Sequence, residues 1–404
     1  MTLPADMDPI AGLALGLAVL LVAAKTAGHV AMRLGAPAVL GELLVGVALA
    51  AVPLPFLREL GQVPAIDTLS RLGALILVFE VGLTLTVRDI LGVGFAAVSV
   101  AVVGTVLSFA LGWSVSAWLL HGQAGYVHVF VGAAITATSI GITARVLQDL
   151  GQTTTREARI ILGAAVLDDV IGLVVLTLVS AWIATKTGAS AAHPTSPVLV
   201  VGKSIAFLGL AIGLGVRIVP RVFAWAARLE SSGALLAIGL SFCFLLSWVA
   251  SLVGLAAIIG AFTAGLIVEE AHSEGFVARG ERSLQALVEP VSSFLVPVFF
   301  VVMGMRTRVE VFRDPQAVAL ALALTAVAIL GKLGAGFSIG KAGDGVIVGI
   351  GMIPRGEVVL VFASLGLSLG VIDATVTSSL VVVVMLTALV TPPLLSWSLR
   401  RRRA

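Results

Sequence analysis

Long apolar runs separated by short polar segments occupy nearly the whole of this 404-residue chain. A helix needs roughly 20 mainly apolar residues to cross the hydrocarbon core of a bilayer. The pattern therefore predicts an all-α polytopic membrane protein. Its thirteen predicted transmembrane helices lie at roughly 10–33, 38–53, 65–86, 90–120, 126–148, 156–185, 197–226, 233–252, 254–270, 282–304, 315–340, 345–370 and 374–399.

The composition agrees with a membrane location. Hydrophobic residues make up 59% of the sequence and charged residues only 12%. A soluble domain carries about 25% charged residues, so a water-soluble enzyme is excluded. The first apolar run follows acidic residues and lacks the basic start of a secretory signal, so it is predicted to be the first span. The single cysteine, Cys243, is predicted to be a core residue.

Basic residues set the predicted orientation, because Lys and Arg favour cytoplasmic loops. With the cluster from Arg400 to Arg403 in the cytoplasm, an odd number of helices places the N-terminus outside. Most of the basic residues then lie on cytoplasmic segments. The predicted outside loop that holds Arg306, Arg308 and Arg313 fits this arrangement poorly.

A faint internal repeat relates segments that are seven helices apart. Pro37 to Gly46 in the second helix resembles Leu255 to Gly265 in the ninth, and Val81 to Val87 resembles Met303 to Val309. An odd offset gives the two copies opposite orientations, which is a common plan for transporters. We therefore expect one transporter domain over 1–404, with helices one to six at 10–185, a linker helix at 197–226 and helices eight to thirteen at 233–399. No soluble regulatory domain is expected.

Ionisable side chains inside the predicted spans are the candidates for function. Each costs roughly 2.5 to 3.5 kcal/mol at the centre of a membrane helix, so an unpaired one should be rare. For Lys25, Glu42 and Glu80 a structural role is favoured over proton carriage. The full set is Lys25, Glu42, Glu80, Asp168, Asp169, Lys332, Arg355 and Glu357.

Asp168 and Asp169 are adjacent carboxylates in the middle of an apolar helix. Neighbours on a helix point about 100° apart, so one can meet a fixed cation while the other meets a water-filled cavity. Two carboxylates this close in a low dielectric resist joint ionisation, so the pair can hold either a monovalent cation such as Na⁺ or protons. Lys332, among glycines in the eleventh helix, is the predicted internal counter-ion.

The fifth and twelfth helices are both predicted to be interrupted. Hydroxyl and glycine residues are dense from Thr136 to Thr143, and Pro354 follows Gly349 and Gly351 in the twelfth helix. Breaks at corresponding places in two inverted halves predict an ion site near the bilayer midplane, lined by unwound backbone. Arg355 and Glu357 are expected to compensate the half-helix ends rather than to bind substrate.

Four segments resemble those of the monovalent cation:proton antiporter superfamily, in particular bacterial sodium/proton antiporters of the NapA type. They are Ala137 to Gly151, the tandem Asp168 and Asp169, Gly331 with Lys332, and Ile353 to Val358. The resemblance covers nearly the whole chain. It implies a homodimer in the bacterial inner membrane whose protomer has a dimerisation domain and a moving core domain with crossed, discontinuous helices five and twelve.

The resemblance also implies residue roles by position. Asp169 would be the main ion-binding and proton-carrying residue, and Asp168 its partner, salt-bridged to Lys332 when no ion is bound. Thr138 and Ser139, with Thr136 nearby, would line the unwound part of helix five. Tandem aspartates resemble the electrogenic relatives, which exchange two protons for one Na⁺ or Li⁺. Elevator-type alternating access is the expected mechanism.

Several alternatives stay open or are set aside. A K⁺/H⁺ antiporter of the same superfamily is the nearest alternative. The chain ends at Ala404 without the nucleotide-binding domain of glutathione-gated potassium efflux proteins, which argues against that type but not against potassium as the ion. A sodium-coupled organic-anion symporter is more remote, since it would need no buried lysine against the carboxylates. An intramembrane aspartyl protease is disfavoured, because such enzymes carry Tyr-Asp and here Tyr126 precedes Val127. No enzymatic activity, cofactor or nucleic acid partner is expected.

Overall fold

The chain folds into helices throughout the part that the computed structural model describes. The described residues are 9–34, 36–52, 63–86, 88, 92–187, 197–226, 233–271, 283–306, 314–368 and 370–403. Within these ranges there are fifteen α-helices and one 3₁₀ helix, and no strand. The all-α prediction is confirmed.

The helices are numbered here in chain order. The first half comprises α1 (Pro9–Arg33), α2 (Ala38–Ala51), α3 (Pro64–Gly82), α4 (Gly94–Leu119), α5 (Gly125–Ala134), α6 (Ile140–Asp149) and α7 (Arg156–Thr187). The second half comprises α8 (Pro197–Ala226), α9 (Ala234–Leu252), α10 (Ala257–Ala271), α11 (Leu284–Met305), α12 (Pro315–Gly336), the 3₁₀ helix (Phe337–Ala342), α13 (Gly345–Gly351), α14 (Glu357–Ser368) and α15 (Ala374–Arg403).

Local sequence explains where several helices begin. Pro64 occupies the first turn of α3, where its missing N–H is not needed. Asp314 precedes α12 and its side chain accepts a hydrogen bond from the Gln316 N–H. Asp344 precedes α13 and accepts from the N–H groups of Val346 and Ile347. Each carboxylate satisfies backbone donors that have no partner within the helix.

Seven of the described helices are long and apolar enough to cross a membrane on their own, and four shorter helices are also apolar. The long ones lie in α1, α4, α8, α9, α11, α12 and α15. Two predicted spans are split: 126–148 becomes α5 and α6, and 345–370 becomes α13 and α14. Both splits fall where hydroxyl, glycine or proline residues interrupt the apolar pattern.

The helices pack as two groups. The first bundle contains α1, α2, α3, α9, α10 and α11, and the second bundle contains α4 to α7 and α12 to α15. The helix α8 packs against α10 of the first bundle and α7 of the second. Contacts between the bundles are sparse and involve chiefly α3 with α6, and α2 with α6 and α15.

Glycines bring the backbones of the first bundle into direct contact. A Cβ on Gly46 would collide with the Val301 carbonyl oxygen, and a Cβ on Gly265 would collide with that of Phe79. Such close approach of helices is typical of membrane proteins, where small residues at the interface allow dense packing. The helices of the first bundle are therefore packed with their backbones in contact.

Candidate functional site

The two broken helices of the second bundle meet at their breaks. The Ser139 N–H donates to the Pro354 carbonyl oxygen at 2.7 Å, and the Thr138 hydroxyl donates to that of Met352 at 3.2 Å. One turn further along α6, the Thr143 hydroxyl donates to the Gly351 carbonyl at 2.6 Å. Each break thus satisfies backbone groups that the other exposes.

The sequence explains why the helices stop here. Pro354 has no N–H to continue α13, and hydroxyl side chains offer the backbone alternative hydrogen bonds. The hydroxyl of Thr136 donates back to the Ala133 carbonyl at 2.8 Å, at the end of α5. Thr136 is buried, and it is not among the residues of the cavity described below.

Asp168, on α7, is held by two side chains from two other helices. Lys332 Nζ on α12 donates to Asp168 Oδ2 at 2.8 Å, and Thr105 Oγ1 on α4 donates to Asp168 Oδ1 at 2.9 Å. Asp168 is 1% exposed and Lys332 is fully buried. Both oxygens of the carboxylate therefore have a donor, as a buried charge requires.

Small residues create the space for the Lys332 side chain. A Cβ on Gly104 would lie 3.0 Å from Lys332 Nζ, and a Cβ on Gly331 would lie 3.0 Å from the Ser108 hydroxyl oxygen. The helices α4 and α12 consequently approach closely enough for the ammonium group to reach Asp168. The glycines beside Lys332 were predicted from the sequence to give close helix packing, whereas Gly104 was not.

Arg355 is fully buried in the break between α13 and α14. Its guanidinium donates to the Met352 and Ala328 carbonyls at 3.3 and 3.4 Å and to the hydroxyls of Thr138 and Ser108 at 3.3 Å. The Met352 carbonyl lies just past the C-terminal end of α13, where a positive charge is favoured. Glu357 begins α14, and its side chain lies outside the described part of the structure.

Asp169 lies on the wall of a cavity between the two bundles. The cavity has a volume of about 460 Å³. Thr138, Ser139 and Asp169 line it from the second bundle, and Ile258, Phe299 and Met303 line it from the first. The tandem aspartates thus have different surroundings: Asp168 faces Lys332 and Thr105, whereas Asp169 faces the cavity.

Charged residues surround the opening of this cavity. Arg71 on α3 and Arg306 at the end of α11 both line it. The carboxylate of Asp67 bonds to both, at 2.8 Å in the case of Arg71. Because the Arg71 side chain is 68% exposed, the cavity reaches the surface at the end of the molecule that carries Arg306.

The remaining charged residues predicted within the spans lie away from this cavity. Glu80 on α3 accepts a 2.5 Å hydrogen bond from the Ser292 hydroxyl on α11, within the first bundle. Glu42 on α2 lies 3.8 Å from Arg145 on α6, and Lys25 on α1 is exposed. Both glutamates are buried.

The central group of charges is balanced when all four members are ionised. Asp168 and Asp169 are acidic, and Lys332 and Arg355 are basic. Carboxylate, hydroxyl and carbonyl oxygens are the ligands preferred by hard cations such as Na⁺, and Asp169, Thr138 and Ser139 present such oxygens to the cavity. The described residues contain no group of three or more His, Cys, Asp or Glu side chains placed to hold a metal.

Three hydroxyl residues of the site were not predicted from the sequence. Thr105 and Ser108 bond to Asp168 and Arg355, and the Thr387 hydroxyl on α15 accepts from the Arg355 N–H at 3.0 Å. A signal for α4 exists in the sequence, because Gly104, Ser108 and Gly112 recur every four residues and mark one face of a helix. No comparable pattern marks Thr387.

The chain is similar to several curated antiporters over nearly its whole length. The chain is 35% identical to the high-affinity Na⁺/H⁺ antiporter NhaS3 of Synechocystis sp., over 95% of this chain and 89% of the relative. It is 32% identical to the Na⁺/H⁺-K⁺ antiporter GerN of Bacillus cereus, over 95% of each chain. An Enterococcus hirae Na⁺/H⁺ antiporter is also 32% identical, over 94% of this chain and 96% of the relative.

A solved structure shares the fold. The sodium proton antiporter MjNhaP1 of Methanocaldococcus jannaschii superposes with a TM-score of 0.70, over 98% of this chain and 96% of the other, at 16% identity. The sequence profile of the family described as sodium/hydrogen exchanger, transmembrane, matches residues 16–401. This match covers nearly the whole chain, which therefore belongs to the transmembrane sodium/hydrogen exchanger family.

Proposed function

We propose that this protein exchanges Na⁺ or Li⁺ for H⁺ across the membrane, with Asp169 as the residue that takes the cation and the proton in turn. The observation that carries the proposal is the position of Asp169 on the wall of a cavity between two bundles, next in sequence to an aspartate held by a buried lysine. Two relatives that match nearly the whole chain are named as Na⁺/H⁺ antiporters, and a third as an Na⁺/H⁺-K⁺ antiporter.

Competition for one carboxylate couples the two ions. A cation in the cavity would be coordinated by Asp169 with oxygens of Thr138, Ser139 and the helix breaks. A proton on Asp169 removes the negative charge that attracts the cation, so the two cannot be held together. Asp168, already held by Lys332 and Thr105, supplies a second negative charge close by.

The tandem aspartates favour an electrogenic exchange of two protons for one cation. With a proton on each aspartate, the site carries two more positive charges than the ion-free site. With one Na⁺ it carries one more, so one net charge crosses the membrane per cycle. That charge is worth about 2.3 kcal/mol per 100 mV, which drives protons in and sodium out when the inside is negative.

Movement of one bundle against the other would present Asp169 to each side in turn. The sparse contacts between bundles, and the close glycine contacts within the first, support an elevator-type motion in which the second bundle carries the site. The first bundle would then be the dimerisation domain of a homodimer. The pairs α5 with α6 and α13 with α14 would each count as one crossing, which gives thirteen.

The glycine contacts support the proposed inverted repeat. If Gly46 corresponds to Gly265 and Gly82 to Gly304, as the sequence similarity suggests, then the contact of Gly46 with Gly304 corresponds to that of Gly265 with Gly82. Both contacts are present. Two-fold symmetry between helices one to six and eight to thirteen requires this exchange of partners.

The proposed setting is the bacterial inner membrane, with the N-terminus outside and the C-terminus cytoplasmic. The distribution of basic residues and the bacterial relatives support it. The transporter domain would extend over 1–404, with the transported ions as its substrates and no cofactor.

Potassium is the second candidate ion. GerN, which matches 95% of this chain, is named as an Na⁺/H⁺-K⁺ antiporter. The oxygen ligands at the cavity suit K⁺ as well as Na⁺, so selectivity depends on the size of the bound-state cavity. The family match gives no support to a sodium-coupled organic-anion symporter.

Proton flux in proteoliposomes tests the function. Imposed gradients of Na⁺, Li⁺ or K⁺ should drive proton movement in the wild-type protein, and Asp169→Asn should abolish it. A flux that responds to an imposed membrane potential supports electrogenic exchange. Indifference to the potential would mean electroneutral exchange.

A matched control makes the same chemical change elsewhere. Asp373 caps α15 by accepting from the Val376 N–H at 2.8 Å, and asparagine caps helices equally well. Asp373→Asn should therefore keep wild-type flux. If Asp169→Asn also keeps it, Asp169 is not the ion-carrying residue.

A further inference from the structure

A second group of charged side chains lies between the bundles, apart from the cavity. It consists of Glu42 on α2 and of Arg145 and Asp149 on α6. Glu42 Oε1 lies 3.8 Å from Arg145 Nη2, and Arg145 Nε lies 3.0 Å from Asp149 Oδ1. Asp149 Oδ2 also accepts from the Val39 N–H of α2, at 3.4 Å. Charges on Arg145 and Asp149 thus hold the start of α2.

This group lies at the opposite end of the molecule from the cavity opening. The helix α2 starts beside Asp149, and Gly46, further along α2, contacts Gly304 near the end of α11, where Arg306 opens the cavity. The helix α6 begins at the cavity wall with Ile140, and Arg145 lies about 7.5 Å further along it at 1.5 Å per residue. Between them, Ile142 and Ala144 are fully buried.

Each partner is fixed to a different bundle. Cβ atoms on Gly41 and Gly46 would collide with the carbonyl oxygens of Ala27 and Val301, so α2 is locked against α1 and α11. The Thr143 hydroxyl ties α6 to the Gly351 carbonyl in the second bundle, at 2.6 Å. If the bundles separate at this end, neither helix can follow the other, and the contacts of Arg145 with Glu42 and of Asp149 with Val39 must break.

The contacts are suited to repeated breaking. Glu42 is 2% exposed, yet its Oε2 accepts no hydrogen bond within the described ranges, and its 3.8 Å approach to Arg145 is too long for one. A buried ion pair of this kind contributes little net stability, because desolvation offsets the attraction. Water that enters when this end opens would hydrate both charges.

We propose that Glu42, Arg145 and Asp149 form an ionic latch that holds the Asp149 end closed while the cavity is open at the Arg306 end. The latch rests on the proposed alternating access, since its role is to release when the second bundle moves. It adds a residue from α2 to the machinery of transport, and it explains charges that the ion site does not use.

Thiol labelling tests the latch directly. Cys243 is buried and is the only cysteine in the sequence, so Cys243→Ser gives a background without cysteine. Val39→Cys then places a thiol at a fully buried position beside Asp149. The rate of maleimide labelling at this thiol reports how often the Asp149 end opens. We expect Glu42→Gln and Arg145→Gln to raise the rate severalfold, and Arg145→Lys to raise it less.

The matched control is Glu157→Gln. Glu157 is a buried glutamate at the same end, but it accepts from the Asp344 N–H at 3.1 Å, within the second bundle. It should leave the labelling rate unchanged. An unchanged labelling rate in Glu42→Gln and Arg145→Gln would overturn the latch. The latch would also be overturned if Glu157→Gln raised the labelling rate as much as these variants and all three lost the same thermal stability.

Labelling does not require ion exchange, so the two proposals can fail separately. Failure of the proposed function would show as wild-type protein without cation-driven proton flux, and failure of the ion-site assignment as flux that survives Asp169→Asn. Failure of the latch proposal would show only in the labelling rates.

Discussion

Lys332 Nζ donates to Asp168 Oδ2 at 2.8 Å, in a position where neither side chain is exposed by more than 1%. The two charges come from α12 and α7 and join the halves of the second bundle. Removing one member of such a pair leaves the other buried without its partner, which costs about 3 to 5 kcal/mol.

We therefore expect Lys332→Met to lower the free energy of unfolding by about that amount, measured by thermal or denaturant unfolding in detergent. The double variant Asp168→Asn with Lys332→Met should recover most of the loss, because no unpaired charge remains. Equal stability of the single and double variants would show that an unpaired Asp168 costs nothing at this position.

The Thr105 hydroxyl is the second donor to Asp168, at 2.9 Å. Thr105→Val keeps the shape of the side chain and removes the donor, so it should lower stability by about 1.5 to 3 kcal/mol, as for a hydrogen bond to a charged group. Thr105→Ser keeps the hydroxyl and should retain most of the stability. Coincident unfolding curves for the valine, serine and wild-type proteins would contradict a role for this hydrogen bond.

Gly104 leaves room for the Lys332 ammonium group. A Cβ there would lie 3.0 Å from Lys332 Nζ and 3.1 Å from Cδ, closer than most real contacts. Gly104→Ala should shift the ammonium from Asp168 and lower the proton flux at least tenfold. Gly209→Ala in α8 is the control, since its Cβ would meet nothing within 4 Å. Equal flux in both variants would show that the position of Lys332 is not critical.

Asp67 offsets the positive charge at the cavity opening, where it bonds to Arg71 and Arg306. Asp67→Asn leaves two arginines to repel incoming cations, so the apparent KM for Na⁺ should rise severalfold at low ionic strength. The rise should shrink at about 1 M of an inert salt, where the Debye length falls to about 3 Å. If the apparent KM of Asp67→Asn did not change with ionic strength, cations would not pass this opening.

Gly46 and Gly265 make corresponding contacts in the proposed repeat, with the carbonyl oxygens of Val301 and Phe79. Gly46→Ala and Gly265→Ala should each reduce stability by about 1 to 3 kcal/mol, and by similar amounts. Gly202→Ala, in open space on α8, should not reduce it. A loss at one of the paired sites alone would argue against the repeat.

Apolar patterning placed nearly every helix, because the thickness of a bilayer fixes how long an apolar run must be. The limits of the breaks were not predictable. Sequence alone does not show that α5 stops at Ala134 or that α14 begins at Glu357, because hydrogen bonds from the opposite break decide where each segment unwinds.

The central charges were predictable because charges in an apolar helix are rare. The hydroxyl residues of the site were harder to predict. Thr263 and Thr325 bond to carbonyls of their own helices, as threonines in membrane helices commonly do, whereas Thr105 bonds to Asp168. Nothing local in the sequence separates these cases. The approach of Glu42 to Arg145 could not be predicted from the sequence either, because it depends on how α2 and α6 pack.

The cavity beside Asp169 also determines where the membrane voltage acts. Solution in a cavity that reaches the surface at Arg71 stays close to the potential of the bulk on that side. In the proposed transporter the electric field would then fall mainly across the packed protein between Asp169 and the Asp149 end. In the proposed cycle, a cation that reaches Asp169 from the Arg306 end would cross little of the voltage, and most of the electrical work would be done when the bundles move.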